Sequence, residues 1–270
     1  MADPFSKISR TFNYHYYRLK NGWHFPSNIS HLAGSNMAKG TYEPEVMNII
    51  KKNLTAGSVF IDVGANVGYF ARMASDMVES SGWVYAFEIE HDNYYSLCKN
   101  TGPLNNVIPL HFAVSNGLTF MQVHHSSHSA CHSLVNTGNY LDGDEFTVPT
   151  ITMDYFWSNH LNKQRVDLIK IDVEGAELFV LEGMGKMLSE NIVETMIIEY
   201  CPRILKNSGQ DPKKFHEVLS SDFSLSIIED KYRNLQKNKG IKDLNEFLMV
   251  TDHLLEQKDA ENINLLCKRK

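Results

Sequence analysis

The stretch Val59-Phe60-Ile61-Asp62-Val63-Gly64-Ala65-Asn66-Val67-Gly68-Tyr69-Phe70 decides the fold. An apolar run rich in β-branched residues ends in an acid, passes through a glycine turn and opens into an amphipathic helix. Glycine at 64 and 68 permits a sharp turn and lets a ligand approach the backbone closely. The N–H groups of the new helix would then face whatever sits on the turn. A second strand, Trp83-Val84-Tyr85-Ala86-Phe87-Glu88, also ends in an acid. An acid at that offset is where ribose hydroxyls are held in doubly wound nucleotide sites. A nucleoside-containing cofactor follows, with Gly64, Asn66, Gly68 and Glu88 in its site.

The turn does not read G-x-G-x-x-G, and Asp62 stands directly before its apolar neighbour Val63. An acid there repels a pyrophosphate and suits a cation such as the ammonium or sulfonium of S-adenosylmethionine. Further along lie Gly40-Thr41-Tyr42-Glu43, Ala113-Val114-Ser115, Thr150-Ile151-Thr152-Met153-Asp154 and Ile169-Lys170-Ile171-Asp172-Val173-Glu174-Gly175-Ala176-Glu177.

From about residue 40 to about residue 250 the series resembles the FkbM family of S-adenosylmethionine-dependent methyltransferases. The combination of DVGANVGYF, FEIE and IKIDVEGAE carries the resemblance; each piece alone is common. It departs from the family where Phe87-Glu88 is followed by Ile89, a position that commonly holds proline. The resemblance implies S-adenosylmethionine as cofactor and a hydroxyl acceptor on a sugar or small natural product. It places Tyr42 and Glu43 in a loop over the cofactor, where Glu43 either holds the methionine ammonium, alone or with Asp62, or is simply a helix-start acid before Pro44. It puts Ala113 at the end of the third strand, beside the same site.

Alternating βα units run through the chain. Strands are predicted at 59–63, 83–88, 107–113, 166–172, 193–199, near 224–229 and near 246–251, with 118–123 as an edge strand pairing with 146–151. Helices are predicted at about 69–79, 91–99, 176–187 and 211–220, with a short one between Glu43 and Leu54. The fold class is α/β: a Rossmann-like, doubly wound, mostly parallel seven-stranded sheet covered on both faces. Residues 1–50 form an aromatic-rich appendage with Phe12, Tyr14, Tyr16, Tyr17, Trp23 and Phe25, which covers the open face or acts as a substrate lid; residues 51–270 form the cofactor-binding domain.

Open sheets of this kind bind ligands at the carboxyl ends of their strands, where Asp62, Glu88, Ala113, Asp172 and Glu199 all fall. Methyl transfer to a hydroxyl needs alignment and removal of the acceptor proton. Lys170 and Asp172 share one face of their strand, and a lysine there needs a carboxylate from Asp172, Glu174 or Glu199. Lys170, Asp172, Glu174 and Glu199 are therefore the candidate catalytic set, with Asp172 acting on the proton. Glu177 reads either as a helix-start acid or as a substrate contact.

The 270 residues carry a formal net charge of −6, which argues against a nucleic-acid backbone as the partner. Four cysteines without framework spacing read as free thiols in a reducing compartment. No apolar stretch reaches the roughly 20 residues of a membrane span, and the N-terminus lacks the basic start and apolar run of a signal peptide. A cytoplasmic protein of open oligomeric state is the expectation. The segment His124-His125-Ser126-Ser127-His128-Ser129-Ala130-Cys131-His132 reads as a polar loop, which the resemblance puts near the acceptor side, and no metal is expected. A cofactor-binding regulator without turnover and a nicotinamide-dependent oxidoreductase are the competing functions.

Overall fold

A computed structural model describes residues 22–123, 145–228, 239–256 and 262–270. The strands are β1 (Val59–Val63), β2 (Trp83–Phe87), β3 (Val107–Leu110), β4 (Ala113–Val114), β5 (Phe120–Val123), β6 (Phe146–Ile151), β7 (Val166–Ile171), β8 (Val193–Tyr200), β9 (Phe223–Ile227), β10 (Gly240–Ile241) and β11 (Ile263–Arg269). The helices are α1 (His31–Lys39), α2 (Pro44–Asn53), α3 (Tyr69–Val78), α4 (His91–Thr101), α5 (Met153–Asn159), α6 (Glu177–Glu182), α7 (Gly185–Ser189), α8 (Pro202–Asn207), α9 (Pro212–Asp222) and α10 (Leu244–Glu256).

The main sheet has eight strands in the order β10-β9-β11-β8-β7-β1-β2-β3. The run from β8 to β3 is parallel, whereas β11 lies antiparallel between β8 and β9. Seven strands of usual length plus the two-residue edge β10 make up this Rossmann-like sheet. Strand alternation divides its core. Val59, Ile61 and Val63 belong to one apolar cluster with Phe156, Leu181, Phe215 and Phe247, from α5, α6, α9 and α10. Phe60 and Leu168 face the other side, where Trp23, Phe25, Ile50, Phe70 and Leu97 close the second core. Residues 22–50 are thus packed into the same apolar cluster as β1 and β2. Phe12, Tyr14, Tyr16 and Tyr17 lie outside the described residues, as does the histidine-rich segment 124–132.

Three expectations need correction. The predicted strand near 246–251 is inside helix α10, because Phe247, Thr251 and Leu254 fall on one helical face and bury against the sheet. The closing strand is β11, whose buried Ile263, Leu265 and Cys267 alternate with less buried neighbours. The predicted strand 107–113 stops at Leu110; Ala113 and Val114 instead pair with Thr150 and Ile151 in a separate three-stranded sheet, β4-β6-β5. The expected helix 176–187 breaks into α6 and α7 around Gly183. A Cβ at Gly183 would come within 2.1 Å of the Ser115 carbonyl oxygen, and Asp154 accepts from the amides of Lys186 (2.9 Å) and Met187 (3.0 Å) to restart the helix.

Candidate active site

The turn after β1 is held entirely by its own protein. Gly64 and Ala65 donate to the Phe87 carbonyl at 3.0 and 2.8 Å, Asn66 donates to Glu88 Oε2 at 2.7 Å, Val67 donates to Asn66 Oδ1 at 2.8 Å, and Gly68 donates to the Ala65 carbonyl at 2.8 Å. No amide from 64 to 68 is left to cradle a phosphate. Packing also demands both glycines, a reason the sequence alone does not show. Gly64 has φ +83°, and a Cβ there would lie 1.8 Å from the Asp172 carbonyl oxygen; a Cβ at Gly68 would meet the Leu97 side chain at 2.6 Å. Asn66, at φ 50°, takes the left-handed conformation that asparagine tolerates.

Above this turn a cavity of about 400 Å³ follows the carboxyl ends of the parallel strands, within the range of small-ligand pockets. Tyr42, Glu43, Gly64, Asn66, Glu88, Lys170, Asp172, Glu174 and Glu199 all line it. Asp62, Gly68 and Ala113 are absent from its wall; beside Ala113, the wall residues are Phe112 and Val114. Residues that sequence reasoning missed are Ile29, Ser30, Ala33 and Met37 of the N-terminal segment, together with Asn93, Phe112 and Asn262.

At the β2 end, Glu88 accepts from three backbone amides: Asn66 (2.7 Å), Ile89 (2.9 Å) and Glu90 (2.8 Å). Burial outweighs those bonds and pushes its carboxyl up to about 7. Glu88 therefore both builds the turn and lines the cavity.

At the β7 end, Lys170 is 2% exposed, donates to Asp172 Oδ2 at 2.7 Å and lies 5.0 Å from the Phe70 ring centroid. Burial alone would lower its pKa, but Asp172, Asp62 and Glu43 hold it above the ordinary lysine value. Asp62 pairs in register with Lys170 across β1 and β7. Fully buried, with neither oxygen hydrogen-bonded, it is pushed up to about 6 by burial, with Lys170 pulling the other way. Glu174 sits at φ 53° on the loop after β7. Burial, then Asp172 and Glu177, raise its carboxyl well above the usual range; burial, then Asp172 and Glu174, do the same for Glu199. Glu199 also accepts from Asn262.

Asp172, Glu174 and Glu199 place carboxylate oxygens within 4.8 Å of one another, close enough to hold a metal ion. Glu177 faces away from the cavity: its Oε1 accepts from Val173 (3.0 Å) and Gly175 (3.2 Å), so it folds the strand-to-helix loop. Glu43 holds φ 40° before α2 and makes no side-chain cap there.

The residues fit S-adenosylmethionine. The turn offers no anion cradle, the buried carboxyl of Glu88 after β2 is of a type that accepts from ribose hydroxyls, and the excess of carboxylates on the wall suits a cationic ligand. Comparison with known proteins agrees. The sequence model of the FkbM methyltransferase domain matches residues 62–225. Hexuronic acid methyltransferase AglP of Haloferax volcanii is 30% identical over 182 residues, spanning 66% of this chain and 68% of that protein. Among solved structures, a S-adenosylmethionine-dependent methyltransferase from Aquifex aeolicus superposes at TM-score 0.42 with 13% identity, over 87% of this chain and 98% of its own. Aeropyrum pernix fibrillarin with natively bound S-adenosylmethionine does so at 0.42 with 12% identity, over 80% and 68%. Those two scores are too low to add weight. The family model spans more than half the chain, and on that match this protein belongs to the FkbM methyltransferases, with S-adenosylmethionine as its methyl donor.

Proposed function

We propose that the protein methylates a hydroxyl oxygen of a sugar or small natural product, with Asp172 accepting the acceptor's proton. The observation that carries this reading is the carboxylate of Asp172 on the cavity wall, backed by the buried Lys170 ammonium at 2.7 Å. Bound S-adenosylmethionine supplies an electrophilic methyl group on a sulfonium. The chain aligns the partners and handles the proton, roles that contribute through orientation and general-base catalysis. Asp172 ends β7 beside the turn, so a hydroxyl at its free oxygen lies on the acceptor side of the cavity. Lys170 fixes the Asp172 rotamer through that ion pair. Burial, with Asp172 next, shifts Glu174 and Glu199 toward their protonated forms, and both lie on the cavity wall within reach of the acceptor.

A sugar acceptor is supported by the relative whose name specifies a hexuronic acid. An acceptor other than nucleic acid is supported by the net charge of −6 and the acids lining the cavity. The asymmetry between Asp172, ion-paired with Lys170, and Glu174 and Glu199, whose carboxyls burial raises, favours turnover over mere cofactor sensing. The test is methyl transfer from isotopically labelled donor to panels of neutral sugars, hexuronic acids and RNA. Label on a sugar hydroxyl is expected; label on RNA alone, or on no acceptor, would contradict the reading. Among the described residues no helix is long and apolar enough to cross a membrane.

A further inference from the structure

The N-terminal segment roofs the cavity, and one side chain joins that roof to the turn below it. Asn100, near the end of α4, is 2% exposed. Its Oδ1 accepts from the His24 amide at 2.6 Å, and its Nδ2 donates to the His24 carbonyl at 2.8 Å and to the Val67 carbonyl at 2.7 Å. A single amide thus uses three of its four hydrogen-bonding positions, two on the roof segment at His24 and one on the glycine turn. The His24 ring completes the docking, with Nδ1 at 3.1 Å from Ser96 Oγ and its edge against Tyr95.

Beyond His24 the chain passes Ile29, Ser30, Ala33 and Met37 along the cavity wall before reaching Tyr42 and Glu43. Rings and a cation also anchor the roof: Trp23 stacks on Phe25 (5.8 Å) and Tyr69 (5.9 Å), with Arg72 over it at 4.6 Å. Apolar and ring contacts tolerate sliding; the bidentate amide does not. The segment is bracketed by Gly22 and Gly40, both at positive φ with open space where a Cβ would stand.

We propose that Asn100 is a positioning residue that sets the spacing between the roof, residues 23–39, and the cofactor turn, so that binding of the nucleoside between them and closure of the roof are one event. The proposal rests on the cavity being the S-adenosylmethionine site. A ligand clasped between Gly64–Asn66 and Ile29–Met37 gains affinity only when both walls are held in register, which is the coupling expected of two sites sharing one closing element.

Hydrogen exchange on the wild-type protein with and without S-adenosylhomocysteine is the first arm. Protection should rise together at residues 24–39 and 64–68; protection confined to 64–68 would overturn the coupling. Calorimetry on Asn100→Ala, Trp23→Ala and the double variant is the second arm. Asn100→Ala should weaken S-adenosylhomocysteine roughly tenfold, and its effect should largely vanish in the Trp23→Ala background, where the roof is already loose. Independent, additive effects would mean that Asn100 merely stabilises α4. Wild-type protein that does not bind S-adenosylhomocysteine would instead defeat the cofactor reading itself, before Asn100 is in question.

Discussion

The backbones of Gly64 and Asp172 touch: a Cβ at residue 64 would stand 1.8 Å from the Asp172 carbonyl oxygen, and the Asp172 amide donates to Val63 at 2.9 Å. The cofactor turn and the proposed proton acceptor are therefore placed by one contact between β1 and β7. Gly64→Ala meets backbone, which cannot yield as a flexible side chain would, and it forces an alanine to φ +83°. A loss of about 3 kcal/mol or more is expected, with S-adenosylhomocysteine binding weakened as well. Denaturant unfolding and calorimetry check both; a stability within about 0.5 kcal/mol of wild type would contradict the contact.

Because every turn amide from 64 to 68 is already bonded within the protein, NAD should not bind, whereas S-adenosylhomocysteine should. Glu88→Ala should weaken S-adenosylhomocysteine by about 1.5–3 kcal/mol, the scale of hydrogen bonds to a charged group. The same variant should melt lower, since three backbone amides lose their acceptor. Unchanged affinity would remove Glu88 from the site.

Burial raises Asp62 to about 6 and both Glu88 and Glu177 to about 7. Between the ordinary carboxyl range, near ~4, and those values the folded chain keeps protons that the unfolded chain has released. The unfolding free energy then falls with rising pH. These groups contribute most at the acidic end of that window, and their contribution is lost as pH passes about 7. Ligand-free protein should melt higher at pH 6 than at pH 8, and Glu88→Gln should flatten the slope. A melting temperature that climbs from pH 6 to pH 8 would reverse the assignment.

Asp172, Glu174 and Glu199 could gather a divalent ion, yet Lys170 already neutralises Asp172 and burial favours protons on the other two. Methyl transfer should therefore survive dialysis against a chelator. Activity abolished by the chelator and restored by magnesium would turn Asp172 from proton acceptor into metal ligand.

Much of the fold was legible because its strongest signals are local. The run Val59–Val63 and the acid-tipped strand ending at Glu88 announce a doubly wound sheet, and the pairing of β5 with β6 follows from their alternation. Phe247-Leu248-Met249-Val250 misled because a short apolar run suits a strand or a buried helix equally well. The period-two burial of Ile263, Leu265 and Cys267 was the signal that would have found the closing strand. At the site, the acids lining the cavity were legible by type and position, but the reason for the glycines was not. What occupies the missing Cβ of Gly64 is a carbonyl more than a hundred residues away in sequence. Asn100 carried no pattern at all, since an asparagine near a helix end reads as a stop signal.

The proposal that Asp172 takes the acceptor's proton is tested most directly by Asp172→Asn, a nearly isosteric change, in single-turnover methyl transfer to the acceptor that the sugar panel identifies, with S-adenosylhomocysteine affinity measured alongside. The expected result is a rate lower by about 10²–10⁴ with cofactor affinity within about twofold of wild type; an undiminished rate would move the base to Glu174 or Glu199 and contradict the role assigned to Asp172.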